Sequence, residues 1–190
     1  ITPREFDIWM RLLHKVEGSV LWLKQNNQWA KSNLQKEAKL RGIDPSRLVF
    51  AGNVSREDHL ARHKLADLFL DTFSFNAHST ATDALWGGLP LITKVGEQFS
   101  ARVAASLLMA IGLPELIVET DEEYEALAFE LATNKSLLTS IKEKLANNRT
   151  TTPLFDTKTY TQNLEKGFDA AYENCLHTNL PKDIFVKNIK

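Results

Sequence analysis

Imidazole and hydroxyl side chains cluster in residues 76–90, directly after the short apolar stretch at residues 68–70. His78, Ser79 and Thr80 stand where a strand is expected to pass through a short loop into a helix. Free N–H groups at a helix N-terminus and the positive end of the helix dipole both favour an oxyanion. We therefore interpret these three residues as candidate phosphate contacts. The alternative is a plain helix cap, for which Ser79 alone would be enough.

A carboxylate follows this hydroxyl pair by one helical turn, at Asp83. A carboxylate that accepts hydrogen bonds from two hydroxyl groups is a common way of holding a ribose. The alternative is an acid that only interacts with the dipole of its own helix. Taken with His78, Asp83 favours a phosphorylated ligand that also carries hydroxyl groups, which describes a nucleotide.

A second polar group lies earlier in the chain. His59 and Arg62 are three residues apart and share one face of a predicted helix, with Arg56 one turn ahead of them. An imidazole that stacks and a guanidinium that donates hydrogen bonds would suit a base and its ribose, whereas the alternative is a solvated surface patch. Both polar groups follow predicted strands, and the ligand crevice of an α/β sheet lies at the carboxyl ends of its strands. We therefore expect the two groups to form one site.

Signatures of several other protein classes are missing from the sequence. It has no G-x-G-x-x-G, no G-x-x-x-x-G-K-[ST] and no G-x-S-x-G motif, which disfavours dinucleotide dehydrogenases, P-loop NTPases and serine hydrolases. The single cysteine, Cys175, excludes an intrachain disulfide and a cysteine-based zinc site. His59, His63, Asp67 and Asp71 do not combine an i, i+4 pair with a third ligand, so no metal and no cofactor are predicted.

Composition is that of a globular domain without an extreme charge. The 190 residues are 43% hydrophobic and 25% charged, and 23 basic residues balance 24 acidic ones. No basic tract stands out, so a nucleic-acid partner is not expected. No apolar run approaches the roughly 18 residues that a membrane helix needs, and a cytoplasmic location is predicted. Because the chain begins at Ile1 without a signal-peptide pattern, we expect a piece of a longer protein.

The elements that would position these side chains alternate between helix and strand, which is typical of a parallel α/β sheet. The strands are too apolar to have one solvated face, so helices are expected on both faces of a Rossmann-like sheet. Two predicted helices begin near residues 3 and 56, and six others span residues 28–40, 79–86, 100–111, 121–132, 135–147 and 157–175. Predicted strands span residues 19–23, 47–51, 68–71, 91–93 and 116–118. Residues 150–155 are predicted to form a connector.

Ordered blocks of sequence resemble one known family. The blocks are residues 47–50, 55–59, 65–72, 76–80, 83–90, 101–106, 123–124 and 152–160. Their order and residues resemble the C-terminal catalytic lobe of the O-linked N-acetylglucosamine transferases and their bacterial SPINDLY-like relatives. The resemblance covers nearly the whole chain, and the set of blocks is far more specific than any one motif.

The resemblance implies a fold and an activity. Members have the GT-B architecture, in which two Rossmann-like lobes face each other across a cleft, usually behind a tetratricopeptide array. The implied reaction is the inverting, metal-independent transfer of N-acetylglucosamine from UDP-GlcNAc to serine or threonine hydroxyls of proteins. The implied partners are UDP or a UDP-sugar, and a protein acceptor that binds through the full-length enzyme. Alternatives that stay open are a transferase that uses GDP-fucose and a non-catalytic nucleotide-binding scaffold.

The resemblance also carries site residues onto this chain. The implied nucleotide-binding positions are Val54, Arg56, His59, Arg62, His78, Ser79, Thr80 and Asp83. By resemblance, the segment from His78 to Thr80 would hold the diphosphate and Asp83 the ribose. His59 and Arg62 would lie at the uracil, close to the backbone of Val54.

Two of these positions depart from the family pattern. Arg56 replaces a lysine that contacts the ribose, which keeps the charge but changes its geometry. Ser79 replaces a threonine and keeps the hydroxyl group.

The resemblance further implies a division of the chain. Residues 1–156 would form the nucleotide-binding lobe, and residues 157–190 a helix and tail that pack on the N-terminal lobe. That lobe and a functional lysine of the family lie outside this chain, so the catalytic residues are not assigned and nucleotide binding without efficient transfer is expected. A stripe of side chains is then expected to be partly exposed: Tyr160, Leu164, Phe168 and Tyr172.

Overall fold

The computed structural model describes residues 1–178 and 180–186. Within them the chain alternates between eight α-helices and five strands, as the sequence predicts. The helices are α1 (Pro3–Lys15), α2 (Gln28–Leu40), α3 (Arg56–Arg62), α4 (Ser79–Gly87), α5 (Val103–Ala110), α6 (Asp121–Thr133), α7 (Lys135–Thr151) and α8 (Thr157–Thr178); the strands are β1 (Leu21–Lys24), β2 (Leu48–Ala51), β3 (Phe69–Leu70), β4 (Leu91–Lys94) and β5 (Ile117–Val118).

All strand pairs are parallel, which confirms the predicted sheet type. β1 pairs with β2 with Leu21 opposite Leu48, and β4 lies between β3 and β5. Among the described residues the ladders form two groups, one of two strands and one of three. The ladders of the three-strand group are short, because β3 and β5 each contribute only two paired residues. The parallel arrangement places the loops after β2, β3 and β4 at carboxyl ends, where ligand sites of α/β folds lie.

Local capping interactions begin and end the helices that carry the site. Ser55 Oγ accepts a hydrogen bond of 3.1 Å from the Asp58 N–H and begins α3, as the sequence predicts. Helix α4 ends at Gly88, whose φ of 85° lies in the left-handed region that favours glycine. The start of α3 and the end of α4 are therefore fixed by residues adjacent to these helices in the chain.

The core lies around β4 and holds α4 firmly. Leu85 of α4, Ile92 of β4, Leu108 of α5 and Tyr124 of α6 are all fully buried and belong to one cluster. The β1–β2 pair is less covered, because Val49 keeps 42% of its surface exposed. The end of α4 that carries the polar segment is thus built on the best-packed part of the fold.

Several predicted boundaries differ from the structure by two residues or more, and those of α5 and α7 have identifiable reasons in neighbouring residues. Helix α5 begins at Val103 rather than residue 100, because a 3-10 turn precedes it and the Ala101 carbonyl accepts a hydrogen bond from Gly96 N. Helix α7 continues to Thr151, beyond the predicted end at residue 147. The hydroxyls of Thr150 and Thr151 bond back to the Asn147 carbonyl, at 3.3 and 3.1 Å, and so fit within the helix.

The stripe on α8 is exposed, as the sequence predicts, and its members are Tyr160, Leu164, Phe168 and Tyr172. The predicted tail extends to residue 190, of which residues 179 and 187–190 lie outside the described part of the chain. Over the described ranges, none of the helices combines the length and the apolar character that a membrane crossing requires.

Candidate functional site

The N-terminus of α4 presents unpaired donors. His78 is the N-cap residue, and its carbonyl accepts the first helical hydrogen bond, 3.1 Å from Thr82 N. Ser79 is the first helical residue and does not cap the helix, so the alternative of a serine cap is not observed. Within the described residues, neither the N–H groups nor the hydroxyls of Ser79 and Thr80 have an acceptor. This helix end therefore offers several hydrogen-bond donors to an anion.

The His78 imidazole lies between two aromatic rings. Phe75 stacks parallel to it with ring centroids 4.8 Å apart, and Phe99 meets it edge-on at 6.3 Å. Its Nε2 atom is buried and has no hydrogen-bond partner among the residues that the structure describes. Because a buried polar atom without a partner is costly, this arrangement suits a site completed by a ligand atom.

Sequence reasoning missed both phenylalanines at this site. They are 63% and 81% exposed. The sequence signal was an aromatic residue in each of the two loops that follow β3 and β4, at Phe75 and Phe99.

The structure brings the two predicted polar groups together. Arg62 Nη2 lies 2.7 Å from His59 Nδ1, which confirms their shared helix face, and Arg62 Nη1 donates to the Gly52 carbonyl at 3.0 Å. Since a guanidinium only donates, His59 Nδ1 is the acceptor and the ring proton sits on Nε2. That Nε2 atom lies 3.7 Å from Asp83 Oδ2, so α3 and α4 meet through these side chains.

Val54 and Arg56 lie apart from this contact network. Val54 is exposed on the loop between β2 and α3, and Arg56 is the exposed first residue of α3. Over residues 1–178 and 180–186, no hydrogen bond or ion pair involves the Arg56 side chain. Both residues are at the carboxyl end of β2, and their contact with a nucleotide stays a prediction.

Close packing of a glycine against a histidine sets how α3 and α4 approach each other. A Cβ atom on Gly87 would lie 2.8 Å from the His63 Cβ and 3.3 Å from the Leu60 carbonyl oxygen. The His63 ring in turn meets the His59 ring edge-on, with centroids 4.8 Å apart. Burial, followed by the electrostatic interaction with His59, lowers the pKa of His63 below its ordinary value. A neutral His63 therefore supports the imidazole of His59 from behind.

Gly87→Ala is expected to lower the free energy of unfolding by about 1–3 kcal/mol, because the added methyl group must push the two helices apart. Urea denaturation would measure the loss. Gly52→Ala is the matched control, since a Cβ at Gly52 meets nothing within 4 Å. Equal stability of the two variants would contradict the role given to this contact.

Metal ligands are not grouped in the described residues. No cluster there brings three or more histidine, cysteine, aspartate or glutamate side chains close enough to hold an ion. Asp71, which the sequence offered as a possible ligand, is buried at the end of β3, and its oxygens accept hydrogen bonds from the protein itself.

Comparison with known proteins finds relatives that share most of this chain. The UDP-N-acetylglucosamine–peptide N-acetylglucosaminyltransferase of Caenorhabditis elegans is 39% identical over 87% of this chain, which spans 14% of that relative. The probable enzyme of the same name, SEC, of Arabidopsis thaliana is 38% identical over 87% of this chain and 17% of its own length. A solved structure of a mutant O-GlcNAc transferase from Thermobaculum terrenum superposes with a TM-score of 0.89 at 28% identity, over 95% of this chain and 35% of that one.

A family model gives the assignment. Residues 1–164 match the model of glycosyl transferase family 41, and this range includes β1 to β5, α1 to α7 and every residue of the candidate site. The match therefore extends over far more than half of the 190 residues. The chain belongs to glycosyl transferase family 41.

Proposed function

We propose that this chain is the nucleotide-binding lobe of a protein O-glycosyltransferase that transfers N-acetylglucosamine from UDP-GlcNAc to serine or threonine hydroxyls. Membership of a glycosyl transferase family supports the proposal, as do relatives named for this donor and for peptide acceptors. The chain spans only 14% and 17% of these relatives. The complete reaction is therefore assigned to the parent protein.

The observation that carries the proposal is the unsatisfied polar surface at the start of α4. The buried His78 Nε2 has no partner among the described residues, and the hydroxyls of Ser79 and Thr80 point to no acceptor there. A diphosphate supplies several anionic oxygens within a few ångströms of one another. Such a group would satisfy the imidazole, the hydroxyls and the free N–H groups together.

The neighbouring side chains suit the nucleoside. Asp83 is partly exposed and its carboxylate has accepting capacity beyond the 3.7 Å approach of His59, so it would bind ribose hydroxyls. His59 and Arg62 would lie at the uracil, with the loop at Val54 beside it. Arg56, whose side chain is exposed at the start of α3, would reach the ribose.

In the proposed reaction an acceptor hydroxyl oxygen attacks the anomeric carbon of the donor and forms the new glycosidic bond with inversion. The bond from the anomeric carbon to the β-phosphate oxygen breaks, and its electron pair leaves with UDP. The acceptor proton passes to a general base. The α4 donors and His78 would stabilise the charge that develops on UDP, because preorganised donors act most strongly where charge appears.

We propose also that α8 is the docking face toward the rest of the parent protein. Its exposed stripe of Tyr160, Leu164, Phe168 and Tyr172 continues at Leu176, which is also exposed. Contiguous exposed apolar side chains of this kind mark interaction surfaces in otherwise well-packed proteins.

Isothermal titration of UDP, UMP and GDP into the chain tests the proposal. UDP is expected to bind more tightly than UMP, because only UDP supplies the second phosphate, and more tightly than GDP, because the site would select the base. Equal affinity for UDP and UMP would contradict the diphosphate site, and a preference for GDP would move the donor to a GDP-sugar. Failure of UDP to bind both this chain and the parent protein would overturn the proposal.

A further inference from the structure

A buried acid lies directly beneath the candidate site. Asp71 follows β3 and is only 1% exposed. Its Oδ1 accepts hydrogen bonds from the N–H of Thr72 at 2.9 Å and from that of Ala77 at 2.7 Å. Its Oδ2 accepts one from Thr93 Oγ1 on β4 at 2.7 Å. Both carboxylate oxygens are thus occupied by the protein and are not available to a ligand.

These bonds determine the path of the loop between β3 and α4. By binding both Thr72 and Ala77, one carboxylate oxygen joins the first and last residues of the loop 72–77. The Asn76 side chain closes the same loop through a 2.8 Å bond to the Thr72 carbonyl, and the Asn76 N–H reaches the Ser100 carbonyl at 2.8 Å. The bond to Thr93 then attaches the whole loop to β4.

The backbone of Asp71 is held as firmly as its side chain. The buried Tyr124 hydroxyl donates to the Asp71 carbonyl at 2.9 Å, from helix α6. Ala77, the last residue held by the carboxylate, immediately precedes His78. The position of Asp71 therefore decides where the His78 imidazole and the first N–H groups of α4 lie.

We propose that Asp71 is a positioning residue for the diphosphate end of the site. It acts through Ala77 on His78 and on the N-terminus of α4, and it does not touch the ligand. The identity of that ligand rests on the proposed function. The anchoring of loop 72–77 by Asp71 is inferred from the hydrogen bonds alone.

The geometry identifies which replacements keep this role. One acceptor oxygen toward the two N–H groups and one polar group toward Thr93 Oγ1 are sufficient, since a hydroxyl both accepts and donates. An asparagine provides both, with its carbonyl in place of Oδ1 and its amide group in place of Oδ2. Burial raises the pKa of Asp71 to about 6, so a neutral side chain is compatible with this environment. Alanine provides neither group and leaves two part-buried N–H donors without an acceptor.

The test compares Asp71→Ala, Asp71→Asn and the control Asp67→Ala, whose carboxylate is exposed and lies 3.2 Å from Lys142 Nζ. Titration of UDP and UMP measures the affinity ratio, and amide hydrogen exchange by NMR follows the N–H groups of Thr72 and Ala77. Asp71→Ala is expected to weaken UDP binding by about 10-fold or more, to weaken UMP binding less, and to speed exchange at both amides. Asp71→Asn and Asp67→Ala are expected to bind both nucleotides as the wild type does and to show no faster exchange at either amide.

The outcomes separate the two proposals. Unchanged exchange at Thr72 and Ala77 in Asp71→Ala would overturn the inference, whether or not any nucleotide binds. Equal losses for UDP and UMP would indicate a general structural role and would also overturn it. Slow exchange in the wild type and fast exchange in Asp71→Ala, without UDP binding in either protein or in the parent protein, would sustain the anchoring while the proposed function failed.

Discussion

Replacing His78 with alanine is expected to weaken UDP binding by about 10- to 100-fold and to change UMP binding less. The imidazole is held between Phe75 and Phe99 with a buried Nε2 that has no partner in the described structure. In the proposed complex that atom binds the diphosphate, so its removal deletes a bond to a charged group. UMP lacks the second phosphate, so its affinity is expected to fall less.

Isothermal titration measures both affinities, and thermal unfolding measures the cost to the fold. His78 makes no side-chain cap bond, so the expected loss of stability is limited to its ring contacts, about 1 kcal/mol. His177→Ala, at an exposed position of α8, is the matched control and should bind both nucleotides as the wild type does. An unchanged ratio of UDP to UMP affinity in His78→Ala would remove this residue from the site.

Asp71→Asn is expected to raise the free energy of unfolding by about 3 kcal/mol at pH 8, and by progressively less as the pH falls toward 4. Burial raises the pKa of Asp71 from 3.8 to about 6, and the hydrogen bonds from Thr93, Ala77 and Thr72 only partly offset that rise. The folded state therefore holds this proton more tightly than the unfolded state. Stability from this residue is fully present below pH 4 and is lost as the pH rises through 6.

Urea denaturation of both proteins between pH 4.5 and pH 8 would measure this difference. Two titratable groups face Asp71: His78, whose charge lowers its pKa, and the Tyr124 hydroxyl on its carbonyl. Acids with a lowered pKa change the pH dependence of stability in the opposite direction. Glu125 is one of them, because the hydrogen bond from Arg11 holds its pKa below its usual value. Groups that do not interact with Asp71 titrate equally in both proteins and cancel in the difference. A difference that is constant across this pH range would refute the assignment.

Much of the secondary structure could be predicted because its causes lie close together in the sequence. The bounds of α2, residues 28–40, agree with the prediction, and Ser55 begins α3 as its residue type and position indicate. Capping and helical periodicity depend on residues within about four positions of each other. Where a specific turn precedes a helix, as the Gly96–Ala101 hydrogen bond does before α5, residue type and periodicity did not show it and the predicted boundary was wrong.

The residues of the candidate site could be predicted from the sequence, but the distances and contacts between them could not. The polar residues at strand ends were found because parallel strands direct their carboxyl ends to one edge. Their mutual contact, with His59 at 3.7 Å from Asp83, depends on how closely α3 and α4 approach through Gly87. The sequence did not indicate Phe75 and Phe99 as site residues, because an aromatic side chain in a loop belongs to no regular pattern.

The sequence by itself determined the α/β class, the order of the elements and the chemical types of the candidate ligand-binding side chains, because periodicity, capping and residue type are local properties. Only the tertiary structure decided that Asp71 is an anchor and not a free acid. Its partners Thr93 and Tyr124 lie 22 and 53 residues further along the chain. Burial and hydrogen bonding between such distant residues arise only when the chain is packed, and they determine what a given side chain can do.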